Sequence, residues 1–219
     1  MPPSAKDPTP KRANKRLAQG AKSRDEILDA ASRMMSSRGY EGTSVADIAR
    51  ESGLPNSSIY WHFNSKAGIL AAVMERGAES FFAEVELADE PDTDDPVDYL
   101  RWALHRSSER FVAHPEFLRL FILLLLSNQD PEIHEIVQRV RQHGEASLRQ
   151  LIERAFRPVD EGRAATIADQ LTPYALALFD GAFLATQASS TVSHSDLMDR
   201  LAADLAQQGS ELLHTRAQT

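Results

Sequence analysis

Apolar positions recur every three to four residues along almost the whole chain, and no segment alternates with period two, so the pattern predicts an all-α protein. Residues 23–38 open on Ser23-Arg24-Asp25-Glu26, which has capping-box spacing, carry Ile27, Leu28, Ala31, Met34 and Met35 on one stripe, and stop at Gly39. Ser44 and Asp47 repeat that spacing ahead of Val45, Ile48, Ala49 and Ser52, and Gly53 closes a helix of barely two turns. Pro55 suits the first position of an equally short third helix whose inward face is Ile59 and Phe63. Ser65 caps a longer fourth helix with Leu70, Val73, Met74, Phe81 and Val85 on its apolar face. The acidic, proline-broken run from Asp89 to Pro96 reads as an exposed loop. Beyond it, helices are expected at about 97–113, 115–128, 131–156, 162–189 and 195–215, with Pro115, Pro131 and Pro158 marking breaks and Pro173 expected to kink or split its helix.

At 219 residues the chain can bury a sizeable core, and it has no cysteine, which excludes disulfides and thiolate chemistry and suits a cytoplasmic setting. The longest apolar run, Leu120 to Leu126, is far shorter than the roughly 20 residues of a membrane-spanning helix, so no membrane partner is expected. Charge changes the picture more. Through Lys66 there are 11 Lys/Arg against 7 Asp/Glu, and from Ala67 onward 13 against 25, so a basic amino-terminal third precedes a strongly acidic remainder within an overall charge of -8. A basic face on an otherwise acidic chain points to an anionic polymer as one partner. The first 22 residues, with Lys6, Lys11, Arg12, Lys15, Arg16 and Lys22, lack the apolar stretch of a secretory signal and are expected to be a mobile basic arm. Residues 23–66 are then one unit and 67–219 a second, larger one.

Two helices of two turns cannot stand alone, because each buries too little apolar surface to repay its nucleation, so they must lean on the helix before them. A short helix, a turn with Gly53 and a second short helix on a supporting helix make a helix-turn-helix, whose second helix enters the major groove of double-stranded DNA. Ala49 permits close approach, while Ile48, Leu54 and Ile59 fill the small core between the helices. That leaves Asn56, Ser57, Ser58, Trp61 and His62 facing elsewhere, available to a partner. The Tyr60 hydroxyl, His62 imidazole and Lys66 ammonium are donors placed to reach phosphates, and Ser44 adds a hydroxyl beside the free amides of a helix start.

Residues 24–77 resemble the DNA-binding domain of the TetR/AcrR family of transcriptional regulators. The resemblance rests on Gly39-Tyr40-Glu41-Gly42-Thr43-Ser44-Val45, Ile48-Ala49, Ser52-Gly53-Leu54, Ile59-Tyr60-Trp61-His62-Phe63, Ser65-Lys66 and Leu70. The chain departs from the family pattern at Pro55, where Ser or Thr is more usual, at Ser57, where Gly is common, and at Ser44, usually Thr. The resemblance implies phosphate contacts from Tyr60, His62, Lys66 and Ser44, base readers among Asn56, Ser57 and Ser58 at a helix start marked by Pro55, and a homodimeric repressor released from a palindromic operator by a small-molecule effector.

Beyond about residue 97 only general shape is shared. Leu178, Gly181 and Ala182 in the eighth predicted helix, with Leu201 and Leu205 in the ninth, suit a four-helix dimer interface. Trp102, Phe111, Phe117, Leu118, Phe121, Leu124 and Leu125, interspersed with His105, Arg106, Arg119 and Asn128, form a cluster expected to line an apolar effector pocket. Nothing points to an enzyme: G-x-S-x-G, Walker, G-x-G-x-x-G and H-E-x-x-H patterns are missing, and His105, His114, His134 and His143 lack metal-ligand spacing, so neither a metal nor a cofactor is expected. The alternative is a helical protein-interaction or small-molecule-binding module without DNA regulation.

Overall fold

A computed structural model describes residues 10–86, 90–113, 115–127, 130–189 and 191–215, and among them all regular structure is helical. Four helices, α1 (Pro10–Arg38), α2 (Val45–Ser52), α3 (Asn56–Phe63) and α4 (Lys66–Glu86), precede α5 (Pro96–Ala113), α6 (Pro115–Leu126), α7 (Pro131–Phe156), α8 (Glu161–Ala188) and α9 (His194–Thr215). Lys6, Asp89, His114 and Asn128, and the side chains of Lys11, Arg12, Lys15, Arg16, Phe81, Val85 and Phe111, lie outside the described residues.

Three expectations are corrected. First, α1 begins at Pro10, so the expected arm is helical from residue 10 onward, and Ser23 lies inside the helix, its hydroxyl donating to the Gln19 carbonyl at 3.0 Å instead of capping. Second, Pro55 is the capping residue just before α3, with extended backbone, and not its first turn. Third, Pro173 does not split its helix: α8 is assigned continuously through it, because Pro173 lies on the exposed side, where the single rung it removes leaves a carbonyl within reach of solvent. The remaining signals hold. Ser44 and Asp47 form a reciprocal capping box, the Ser65 hydroxyl accepts the Gly68 N–H at 2.9 Å, and Gly39 and Gly53 adopt left-handed backbone at φ 77° and 70°.

Apolar burial falls into two clusters. Ile27, Met35, Ile48, Ile59, Leu70, Leu120 and Val137 belong to the first, which joins α1–α4 to α6 and the first half of α7. Leu104, Ile152, Phe156, Ala168 and Leu205 belong to the second, built from α5, the second half of α7, α8 and α9. Phe179 of α8 packs against both. The core therefore does not divide after residue 66: α4 carries Ala67, Ile69, Leu70, Val73 and Met74 into the same cluster as α1. In α2 the only buried residue is Ile48, worth about 1.5–3 kcal/mol, so this helix is held by the neighbours it touches.

Candidate nucleic-acid interface

The short helices are set by their inward residues. Ile48 and Ile59 are fully buried against α1, Leu54 packs beside them, and the left-handed Gly53 turns the chain between α2 and α3. An Arg33–Glu51 pair at 3.3 Å ties α1 to α2, and Arg76–Asp29 at 2.8 Å ties α4 to α1. A Cβ at Gly68 would collide with the Phe63 carbonyl, so the start of α4 sits directly against the end of α3.

That scaffold turns one face of α3 outward. Pro55, Asn56 and Ser57 are exposed, and Ser58 is half-buried. Tyr60 and Trp61 are 52% and 76% exposed, a large apolar area for a soluble surface unless something covers it. The Trp61 ring meets His62 edge-on, with centroids 4.6 Å apart. His62 is half-buried, and burial, aided by Arg24, holds its imidazole below the usual range. The Lys66 ammonium stands 4.0 Å from the centroid of the Tyr40 ring and 3.9 Å from the Glu41 carboxylate.

Ser44 differs from expectation. Its hydroxyl donates to Asp47 Oδ2 at 2.6 Å, and its own N–H donates to the same oxygen at 3.2 Å, so a carboxylate already occupies this helix start. The Ser44 hydroxyl, with Arg50 beside it, holds Asp47 below the usual carboxylate range and thus ionised. Arg50, exposed and paired with Asp47, is a cation the sequence reading missed; its signal was its place three residues after a capping acid, at the open end of α2.

Residues 27–73 match the family described as bacterial regulatory proteins, tetR family. Those residues carry the TetR-family pattern. The chain is 31% identical over 119 residues to the transcriptional regulator TtgR of Pseudomonas putida, spanning 54% of this chain and 50% of that one. It is 36% identical over 75 residues to the regulator AcrR of Shigella flexneri, 34% of each. The chain thus spans half or less of the length of these curated relatives, which are named as regulators and not enzymes. Its fold is shared with a solved FadR from Bacillus subtilis in complex with stearoyl-CoA, with a TM-score of 0.64 at 15% identity over 83% of this chain and 96% of that one.

A cavity of about 90 Å³ lies where the two core clusters meet. Of the residues expected there, Phe117, Leu118 and Phe121 line it, and Trp102, His105, Arg106, Leu124 and Leu125 do not. Trp102 turns toward Tyr99, ring centroids 5.6 Å apart, in the second cluster. His105 bonds Asp199 of α9 at 3.0 Å, Arg106 pairs with Glu109 at 3.9 Å, Leu124 is buried in the first cluster and Leu125 is exposed. The helical period explains this: on α5 it is Ser107 that faces the cavity. The missed walls are α7, through Val140, Arg141 and Ser147, and α8, through Phe179, Asp180 and Phe183, with Arg141 and Asp180 paired at 2.7 Å.

The predicted dimer residues divide. Leu178 is 38% exposed and Gly181 has open space beside it, in line with exposed Tyr174 and Leu184 along one face of α8. Ala182, Leu201 and Leu205 are buried in the second cluster of the same chain, because α8 packs on α7 and α9, and α9 packs on α5. No described helix is long and apolar enough to cross a membrane.

Proposed function

We propose that this chain is a cytoplasmic transcription regulator that binds a palindromic operator as a homodimer and, as a repressor, is released by a small apolar effector. The observation that carries it is the outward face of α3, where Asn56, Ser57, Tyr60 and Trp61 are exposed on a helix fixed from within by Ile59 and Phe63. Asn56, Ser57 and Ser58 stand where base edges are read, while Tyr60, His62, Lys66 and Ser44, with Arg50 added, flank them toward the backbone. One two-turn helix reads too few base pairs for selectivity, so two copies are needed about 34 Å apart in successive major grooves.

The exposed α8 stripe of Tyr174, Leu178, Gly181 and Leu184 is the surface for the second copy. For the effector, the cavity offers mostly apolar walls with the Arg141–Asp180 pair and Arg154 among them, and a fold neighbour holds stearoyl-CoA. An effector that prefers the DNA-incompetent spacing empties the operator, and linkage requires the operator to weaken effector binding by the same factor. Selection of bound duplexes from random DNA, followed by release with candidate compounds, tests the reading: recovery of a palindrome supports it, and failure to enrich any sequence refutes it. Titration of a releasing compound with and without operator then tests the coupling, which equal affinities would refute.

A further inference from the structure

Lys66 does not stand free at the end of the reading helix. Its ammonium lies over the Tyr40 ring, 4.0 Å from the centroid, and 3.9 Å from Glu41 Oε2, with only 24% of the side chain exposed. Tyr40 and Glu41 belong to the turn between α1 and α2, and that turn is tightly held. Thr43 is buried, its hydroxyl donates to the Gly39 carbonyl at 2.9 Å, its N–H donates to the Tyr40 carbonyl at 3.2 Å, and the Tyr40 side chain packs on the first core cluster. The ring is therefore fixed by the core, whereas the Glu41 side chain is 86% exposed and can swing away.

We propose that Tyr40 is a positioning residue for the phosphate contact of Lys66, and that Glu41 is the competing anion which a DNA phosphate displaces. The proposal rests on the DNA-binding reading above. A lysine that must find a phosphate from solution loses rotamer freedom on binding, whereas one already resting on a ring has lost much of it beforehand. Cation–ring attraction survives the arrival of a phosphate, because the ring is uncharged and meets the ammonium from a different side. A carboxylate and a phosphate crowded against one ammonium repel each other, so the exposed Glu41 leaves. Burial, with Glu41, Glu132 and Asp130 adding to it, pushes the Tyr40 hydroxyl above its usual range and keeps the ring a neutral phenol.

The test uses the full chain and a fluorescein-labelled mixed-sequence duplex, with affinity followed by anisotropy across a salt series. Lys66→Ala is expected to lower the slope of log affinity against log salt by about 0.9 per protomer. Tyr40→Leu is expected to weaken binding about fivefold and to add nothing in a Lys66→Ala background, while Tyr40→Phe, which keeps the ring, binds like the parent. Glu41→Gln is expected to tighten binding about threefold in the parent and not at all with Lys66→Ala. Equal losses from Tyr40→Leu with and without Lys66, or an equal loss from Tyr40→Phe, overturn the positioning role. Equal tightening by Glu41→Gln in both backgrounds overturns the exchange, and this cycle decides the matter if Tyr40→Leu does not fold. A Lys66→Ala protein with unchanged affinity and slope refutes the phosphate contact itself, which separates failure of the underlying reading from failure of the proposal.

Discussion

The ring of Phe117 on α6 lies against the backbone of α4 at Gly77, in space that a Cβ there would need. Phe117 also lines the cavity, and α4 begins at Lys66, so a single ring stands between the candidate effector and the helix leading to the reading head. Close-packed interiors yield as rigid bodies, and an occupant that drives this ring outward must move α4.

Gly77→Ala should therefore push the ring into the cavity. The expected cost is about 1–3 kcal/mol of stability, read by thermal or denaturant unfolding, together with weaker binding of a releasing compound. A variant with parental stability and ligand affinity would show that the ring has room to retreat without α4.

Base and backbone contacts should separate cleanly. Asn56→Ala is expected to shift sequence preference, at about 1–3 kcal/mol for a good base contact. Tyr60→Phe, which removes one hydroxyl, should weaken all sites alike by about 0.5–1.5 kcal/mol. Selection profiles of the two variants check this, and a uniform loss from Asn56→Ala would demote it to a positioning contact.

Leucines on α8 and α9 should behave in opposite ways. Leu178→Glu, on the exposed stripe, is expected to give a folded monomer with lost operator affinity, whereas Leu205→Ala, in a fully buried site, should cost about 2–5 kcal/mol of the monomer's own stability. Size-exclusion chromatography with circular dichroism distinguishes them, and operator-tight monomers would defeat the dimer reading.

Acid should loosen the contact between α5 and α9. Burial, then the neighbouring His105, holds the His194 imidazole below its usual range, while His105 in turn bonds Asp199, which also accepts from Arg101 at 3.1 Å. The folded protein thus takes up the His194 proton less readily than the unfolded chain, so stability is fully present above about pH 6.5 and falls as the pH drops below it. Asp199, held below the usual carboxylate range chiefly by the hydrogen bond from His105, adds a separate loss only in strong acid. Denaturant midpoints from about pH 5 to pH 8 should show the first loss, and His194→Gln should flatten it.

The reading head was legible because its constraints are local. Ser44 with Asp47, Gly53, and Ser65 ahead of Gly68 each announce a helix end through chemistry that acts within a few residues. Ser23 carried the same signal and was overruled, since a helix already running from Pro10 leaves no free amides there to cap. The cavity was half legible: Phe117 and Phe121 announce an apolar face on α6, but which face of α5 opposes it, and whether Leu205 meets α5 or a partner, depends on how long helices cross. Periodicity gives a stripe its width and not its neighbour.

The meeting of the two core clusters has an evolutionary consequence. Leu118, Ile122, Leu151, Leu176 and Phe179 line the cavity yet are only partly buried, at the margins of clusters whose centres lie elsewhere. Substitutions at these five positions change the shape of the space while leaving untouched Ile48, Ile59 and Leu70, which hold the reading head, and Phe156, Ala168 and Leu205, which hold the opposite end. Under the proposed function, a lineage can thus acquire a new chemical signal without relearning how to grip its DNA.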